Sequence, residues 1–592
     1  MKRSLVLRLV LFPLLLCIQS PMRAQDTNWV ESTLASMSIE EKVGQLFIAD
    51  CIATYAHRES ESFRLARKWV IKYHVGGFVI AGGTVTDIAV TANALQKISR
   101  IPLVFNADLE GGLWFLHPYR WVRGRAPELP RYVRGGGTIF PSAMGIGATG
   151  DTTFAYEFGR ITARESRAIG IHWTNTPVAD VNINPKNPII NTRSFGEDPE
   201  QVGGFVAAYV RGLQEGRMIA TLKHFPGHGD TEEDTHMKLP VLPFDRNRLE
   251  RVELIPFRNG IAAGAKAVMT AHIALPAIDP HKRPSTLSRQ VITGILRKEL
   301  NFKGIVITDG MTMQGITDHY SPAEAAVLAI EAGADVILVP ADLDAAYNGV
   351  LKAVEAGRIS PLRLDESVRR ILTQKSWVGL HKNRFVEIEH ISREVASPAS
   401  EAIAEAAFNA SVTLLRNKGR IIPFSPTKRV HVITITDSPN PSIGDGLMAV
   451  LQKEVAAVTL SRFSNETGSE TIARATKRMS IADVLVVGVY LSVGSWKGEL
   501  GFSREIEMFL RNLSRRKQPV VLIAFGDPYV LARVPTTDVQ IAAYSGDRTA
   551  EEAVARALIG AIEITGKLPV TIPGKYKRGD GLQLSHSQRK GR

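Results

Sequence analysis

The chain has 592 residues, 44% of them hydrophobic and 22% charged, with a net charge of +13. That length exceeds what one core usually serves, and the composition is that of a folded globular protein, so at least two domains are expected and a disordered or low-complexity chain is excluded. Two cysteines exclude a disulfide-stapled scaffold. The positive charge could favour anionic polymers, but only Lys575 to Arg592 concentrates it and no nucleic-acid module accompanies it, so no nucleic-acid partner is expected.

Residues 1–24 read as an export signal. Lys2, Arg3 and Arg8 make a positive start, Leu9 to Ile18 is apolar apart from Pro13, and Ala24 is a cleavage point. The apolar run is too short to span a bilayer, and no later stretch is apolar enough, so no stable membrane insertion is expected; the destination is the periplasm or the outside of the cell. Removing the segment takes Lys2, Arg3, Arg8 and Arg23 from the charge of +13 and leaves +9. Cys51 is then the last cysteine, and an internal disulfide is impossible.

From about residue 38 to 342, short apolar runs alternate with helical patterns. Gln45–Asp50, Gly77–Ala81, Leu103–Asp108, His172–Asp180, Met218–His224, Ala267–His272, Ile305–Asp309 and Val336–Pro340 read as strands, rich in Val, Ile or Phe and bounded by Gly, Pro or polar residues. Helical patterns lie between them at Phe154–Ile169, Gln201–Gln214, Leu249–Ala263, Ser288–Glu299 and Pro322–Ala332. Eight strands with crossovers predict a (β/α)8 TIM-like barrel. Asp50, Asp108, Asp180, His224, His272 and Asp309 fall at or near strand ends. In a parallel barrel those ends open on one face, where active sites form; any one of them alone would read as a helix cap. Residues 113–138 read as an aromatic, basic insertion after the third strand, whose rings either stack on sugars or pack on one another.

Leu362–Leu380 is an amphipathic helix leading out of the barrel, followed by a helix at Ser400–Ser411 and a strand at Val412–Arg416. A second α/β pattern has strands at Val430–Ile435, Val455–Leu460, Val484–Tyr490, Val520–Phe525, Ile541–Tyr544 and Leu568–Ile572. The near-continuous apolarity of Val484–Tyr490 predicts a sheet covered on both faces. The predicted division is a signal at 1–24, a barrel domain at 25–385, a smaller α/β sandwich at 386–575 and a frayed basic tail at 576–592.

The densest chemistry lies at Lys223-His-Phe-Pro-Gly-His-Gly-Asp-Thr-Glu-Glu-Asp-Thr-His236. An apolar run delivers Lys223 and His224, Pro226, Gly227 and Gly229 break regular structure, and Asp234 and His236 follow two residues apart. A carboxylate that close holds an imidazole in one tautomer and raises its basicity, which makes a general acid/base.

Together with Val178-Ala-Asp-Val181, Asn191-Thr-Arg-Ser-Phe-Gly-Glu-Asp-Pro199 and Ile307-Thr-Asp-Gly-Met311, this stretch resembles family 3 glycoside hydrolases, and within them the β-N-acetylglucosaminidase branch. The likeness covers about residues 38–380 and extends more weakly over the second domain. It implies a catalytic nucleophile at Asp309, an acid/base at His236 with Asp234 as its partner, and sugar contacts from Asp108, Arg193, Lys223 and His224. It implies a carbohydrate substrate, no cofactor and no metal. Where many members carry an arginine after Glu-Gly-Gly, this chain has Leu113-Trp-Phe. Glu499 and Glu505, candidates for the acid/base that glucosidase-type relatives take from the second domain, read instead as surface or helix-start carboxylates.

Chemically, a retaining glycosidase needs an ionised carboxylate at the anomeric carbon, and a cation such as Lys223 beside Asp309 would keep it so. The expected activity is an exported retaining exo-β-N-acetylglucosaminidase acting on peptidoglycan fragments or chitooligosaccharides. The alternatives are a phosphorylase or β-glucosidase of the same family, a zinc hydrolase built on His224, His228, His236 and His272, and a glycan-binding protein without catalysis.

Overall fold

The computed structural model describes residues 21–51, 53, 59–113, 136–437, 440–491 and 501–585. Residues 1–20 of the expected export signal, residues 114–135 of the expected insertion, and Glu499 lie outside the described residues.

Eight parallel strands form the first domain: β1 Phe47–Cys51, β2 Gly77–Ile80, β3 Val104–Ala107, β4 Trp173–Thr174, β5 Ile219–Phe225, β6 Ala267–Thr270, β7 Ile305–Thr308 and β8 Ile337–Leu338. They pair in chain order from β1 to β7, and β8 pairs with β1. The bridge between Ile307 and Val336 brings the β8 segment against β7 and closes the barrel. Short apolar strands such as Ile305–Thr308 are wholly buried because the barrel interior covers one face and the outer helices the other. The helices begin where the sequence caps them. Ser38 and Glu41, and Thr84 and Asp87, form capping boxes, and Asp198 caps the helix that starts at Pro199.

Two expected elements of the barrel come out differently. Only Trp173–Thr174 is regular strand in the expected His172–Asp180 run, because Pro177 has no N–H for the ladder. The segment still follows β5 through the Val178–Lys223 bridge and delivers Asp180 at its end. The expected helix Leu249–Ala263 is two, Arg246–Arg251 and Leu254–Ala262. Pro256 cannot donate back to Val252, so it sits in the first turn of a new helix.

The second domain is a six-stranded sheet made of β9 Thr413–Asn417, β10 Arg429–Thr436, β11 Ala457–Ser464, β12 Val484–Leu491, β13 Val520–Gly526 and β14 Val539–Ala542. The order is β11-β10-β12-β13-β14-β9, parallel except for β9. Every residue of β12 is buried, between apolar clusters on the two faces of the sheet. The expected strand Leu568–Ile572 is not one: its middle reaches the barrel, with Pro569 O accepting from Glu197 N and Thr571 N donating to Glu197 Oε2 at 2.7 Å, while Leu568 and Ile572 bond to Asp580, Gly579 and Tyr576 of their own domain. The tail is not frayed from residue 576 either. Leu582 and Leu584 bridge to Leu414 and Ile564.

The domains share a buried boundary. Met144 and Ala148 of the barrel join the second-domain core, and Ser142 Oγ donates to Tyr544 O at 3.0 Å.

Candidate active site

The carboxy-terminal ends of the strands carry the polar side chains. Asp108 and Asp309 directly follow β3 and β7, Lys223 and His224 lie in β5, and Arg193 sits on a 3₁₀ turn, Asn191–Arg193, beyond β4. Asp234 and His236 lie in the loop after β5. That loop needs glycine at its entry. A Cβ on Gly229 would lie 1.8 Å from Val181 O, so only glycine lets the chain pass the loop that follows Asp180. Farther on, the loop rests on Gly315, where a Cβ would lie 3.3 Å from Thr235 O and 3.5 Å from His272 Cβ. The loop that carries Asp234 and His236 is thereby packed on the segment that follows Asp309.

One half of the site is a buried ion-pair network. Lys223 Nζ lies 2.8 Å from Asp108 Oδ1 and 2.7 Å from Glu110 Oε1. Arg193 grips Glu110 with a two-pronged contact, Nε to Oε2 at 2.7 Å and Nη2 to Oε1 at 2.8 Å. A planar guanidinium matches a carboxylate in this way and fixes its direction. Burial opposes the charge on Glu110, but Arg193 and Lys223 overcome it and hold its carboxyl well below the usual carboxylate range. Burial likewise opposes the Lys223 charge, and Asp108 and Glu110 more than restore it. Lys223 therefore stays charged despite its burial, and the Arg193 guanidinium is charged in any case.

Two imidazole–carboxylate pairs complete the lining. His224 Nδ1 meets Asp180 Oδ2 at 2.7 Å, while the backbone N–H groups of His224 and His228 donate to Asp180 Oδ1. His236 Nδ1 meets Asp234 Oδ1 at 2.7 Å, and the His236 N–H donates to the same oxygen at 2.9 Å. An ionised carboxylate is acceptor-only, so each pair fixes Nδ1 as the protonated nitrogen and leaves Nε2 for other work. Thr235, between the members of the second pair, meets His228 Nε2 at 3.2 Å. Burial lowers the His228 imidazole to about 4, so that ring is neutral near pH 7.

Asp309 lies at the barrel mouth, its Oδ1 accepting the Gly310 N–H at 2.8 Å. Burial works against its charge, yet His224, His272, His236 and the Gly310 N–H together hold its carboxyl down at about 2. The imidazoles act fully only when protonated, whereas the Gly310 N–H acts at any pH. Lys223, expected beside Asp309, is engaged by Asp108 and Glu110, and histidines take that place. His272 Nε2 donates to Gly310 O at 3.1 Å, bracing the same turn.

All seven residues expected from the sequence thus stand around one barrel mouth. Three further ones belong to the arrangement: Glu110, Asp180 and His272. The latter two carried a signal, their place at strand ends; Glu110 carried only its nearness to Asp108. Glu505 lies in the first turn of the helix Arg504–Arg511. Among the described residues, no group of three His, Cys, Asp or Glu side chains is placed to hold a metal ion.

Comparison with known proteins agrees over both domains. Residues 38–374 match the glycosyl hydrolase family 3 N terminal domain and residues 412–590 its C-terminal domain. A β-N-acetylglucosaminidase/β-glucosidase of Cellulomonas fimi is 31% identical over 568 residues, which cover 92% of this chain and 95% of that one. The structure of a family 3 β-N-acetylglucosaminidase from Paenibacillus sp. str. FPU-7 matches with a TM-score of 0.78 at 32% identity, covering 91% of this chain and 99% of its own. A β-glucoside phosphorylase matches with a TM-score of 0.80 at 26% identity, covering 93% and 97%.

Proposed function

The chain belongs to glycosyl hydrolase family 3, and we propose that this glycoside hydrolase is an exported, retaining exo-β-N-acetylglucosaminidase. In this reading it removes terminal β-linked GlcNAc from peptidoglycan fragments or chitooligosaccharides. The observation that carries it is the Asp234–His236 pair packed beside an ionised Asp309.

In the first step an Asp309 oxygen attacks the anomeric carbon as the glycosidic bond breaks, and the bonding pair leaves on the departing oxygen. His236, protonated on both nitrogens, gives its Nε2 proton to that oxygen. Asp234 keeps the ring in place and stabilises the imidazolium. The sugar is then an ester of Asp309. In the second step neutral His236 takes a proton at Nε2 from water, the oxygen attacks the anomeric carbon from the face the leaving group vacated, and Asp309 departs as carboxylate. Two inversions give net retention. Such acid/base help contributes on the order of 10²–10⁴-fold. The Arg193–Glu110–Lys223–Asp108 network supplies charged donors and acceptors for the hydroxyls of the terminal ring.

Transfer to phosphate is the second reading. It is favoured by an acid/base that is an imidazole rather than a second carboxylate, since a neutral ring repels an incoming anion less. The likeness to a β-glucoside phosphorylase adds support. The deciding experiment is product analysis on an aryl β-GlcNAc, an aryl β-glucoside, chitobiose and a muropeptide, with and without phosphate. Free GlcNAc of retained configuration supports hydrolysis, and a sugar 1-phosphate overturns it. Export is tested by fractionating cells that express the full chain; retention of all activity in the cytoplasm refutes it.

A further inference from the structure

Asp527 follows β13 in the second domain and is 5% exposed. Its Oδ1 accepts from the Tyr529 N–H at 2.9 Å and, across the domain boundary, from Asn191 Nδ2 at 3.1 Å. Asn191 opens the 3₁₀ turn that ends in Arg193, and its φ is +41°, in the left-handed region that few residues other than glycine adopt. The turn is tight: Arg193 N donates to Ile190 O at 2.8 Å and Ser194 N to Asn191 O at 3.2 Å. Asn191 is buried and its own Oδ1 has no partner among the described residues, so Asp527 is the side chain that engages this amide.

The geometry points to Asp527 as a positioning residue for sugar binding: through Asn191 it fixes the turn that presents Arg193 to the pocket. The second domain then sets how tightly the barrel holds its terminal sugar. This rests on the reading of Arg193 as part of the sugar pocket. The physical reason is the two-pronged grip of Arg193 on Glu110, which holds only if the guanidinium plane is aimed correctly. Without Asp527, a left-handed Asn191 with an unsatisfied buried amide has every reason to relax, and Arg193 moves with it. A neighbouring boundary contact, Asn182 Nδ2 to Tyr529 OH at 2.8 Å, ties the same domains without involving that turn.

The test uses the full chain, with Kd for GlcNAc by calorimetry and KM and kcat on 4-nitrophenyl β-GlcNAc. Asp527→Ala is expected to raise KM and Kd about five- to tenfold with kcat within about twofold, as loss of uniform binding does. Asp527→Asn keeps an oxygen acceptor and stays within about twofold of wild type, whereas Tyr529→Phe cuts only the neighbouring contact and leaves KM unchanged. Asn191→Gly suits the left-handed backbone, deletes the donor and repeats the Asp527→Ala effect, which decides the matter if Asp527→Ala does not fold. In an Arg193→Lys background, adding Asp527→Ala changes KM by less than about twofold. Unaltered KM and Kd in Asp527→Ala and Asn191→Gly, or an undiminished effect in the Arg193→Lys background, overturns the inference. Wild-type protein that cleaves no β-glycoside instead overturns the proposed function, and the Kd ratios still decide the role of Asp527.

Discussion

The two imidazole–carboxylate pairs have the same 2.7 Å contact and opposite settings. Asp180 and His224 come from consecutive strand ends 44 residues apart, and Asp180 is fully buried with two backbone N–H groups on it as well as the ring. Asp234 and His236 are two residues apart on a loop, and the His236 side chain keeps 16% of its surface open. The first pair is built into the barrel and suits holding a substrate still. In the proposed reaction the second, built onto it with the more exposed ring (16% of the side chain against 7%), moves the proton. In that proposed reaction the same contact serves position in one place and reactivity in the other, according to what anchors the carboxylate.

The strongest way to break this comparison is to remove the group both pairs surround. Asp309→Ala is expected to lower kcat on an aryl β-GlcNAc by on the order of 10⁴–10⁶-fold, with folding retained by circular dichroism. Turnover near wild type would remove Asp309 from the chemistry. Next, His236→Ala is expected to lower kcat by on the order of 10²–10⁴-fold for a poor leaving group. The drop should shrink at least about tenfold for dinitrophenolate, which leaves without a proton. Equal losses for both leaving groups would argue against His236 as the acid.

A sharper contrast comes from the two carboxylates. Asp180→Ala leaves a buried ring and two N–H groups without their acceptor and is expected to cost about 3 kcal/mol in denaturant unfolding. Asp234→Ala is expected to cost about 1 kcal/mol or less while lowering kcat on the order of 10²-fold, because its ring loses its tautomer and aim. Similar stability losses in both would erase the distinction between holding and reacting pairs.

The smallest effect on activity lies at the second-domain support, where the prediction concerns stability. Burial raises the Asp527 carboxyl to about 6, above the ordinary value of 3.8. A carboxyl raised on folding costs stability above pH 6, and the penalty is relieved as pH falls through 6 and is gone below 3.8. Asp527→Asn is therefore expected to stabilise the protein at pH 8 by up to roughly 3 kcal/mol, with the gain closing between pH 6 and 4. Scanning calorimetry across that range checks it; a gain that grows as the pH falls contradicts the sign.

Much of this was legible beforehand because it is local. Strand ends at Asp108, Asp180, His224, His272 and Asp309 follow from short apolar runs bounded by Gly, Pro and polar residues. The Asp234–His236 pair follows from a spacing of two. The break before Pro256 was missed because apolar spacing continues across it, although the proline cannot complete the helix ladder. Leu568–Ile572 looked like a strand because Leu568, Val570 and Ile572 are buried, but its hydrogen bonds are split between Glu197 of the other domain, on Pro569 and Thr571, and the turn at Tyr576 to Asp580, on Leu568 and Ile572.

Sequence alone settled the family likeness, the barrel, and which residue types crowd its mouth, since period and motif are properties of neighbouring residues. Only the closed barrel decided who partners whom. Lys223 reaches Asp108 across 115 residues, Arg193 reaches Glu110 across 83, and Asn191 reaches Asp527 across 336. Those pairings depend on how strands and domains are brought together in space, and charge–charge and hydrogen-bond energies act over ångströms of space, not over positions in a chain.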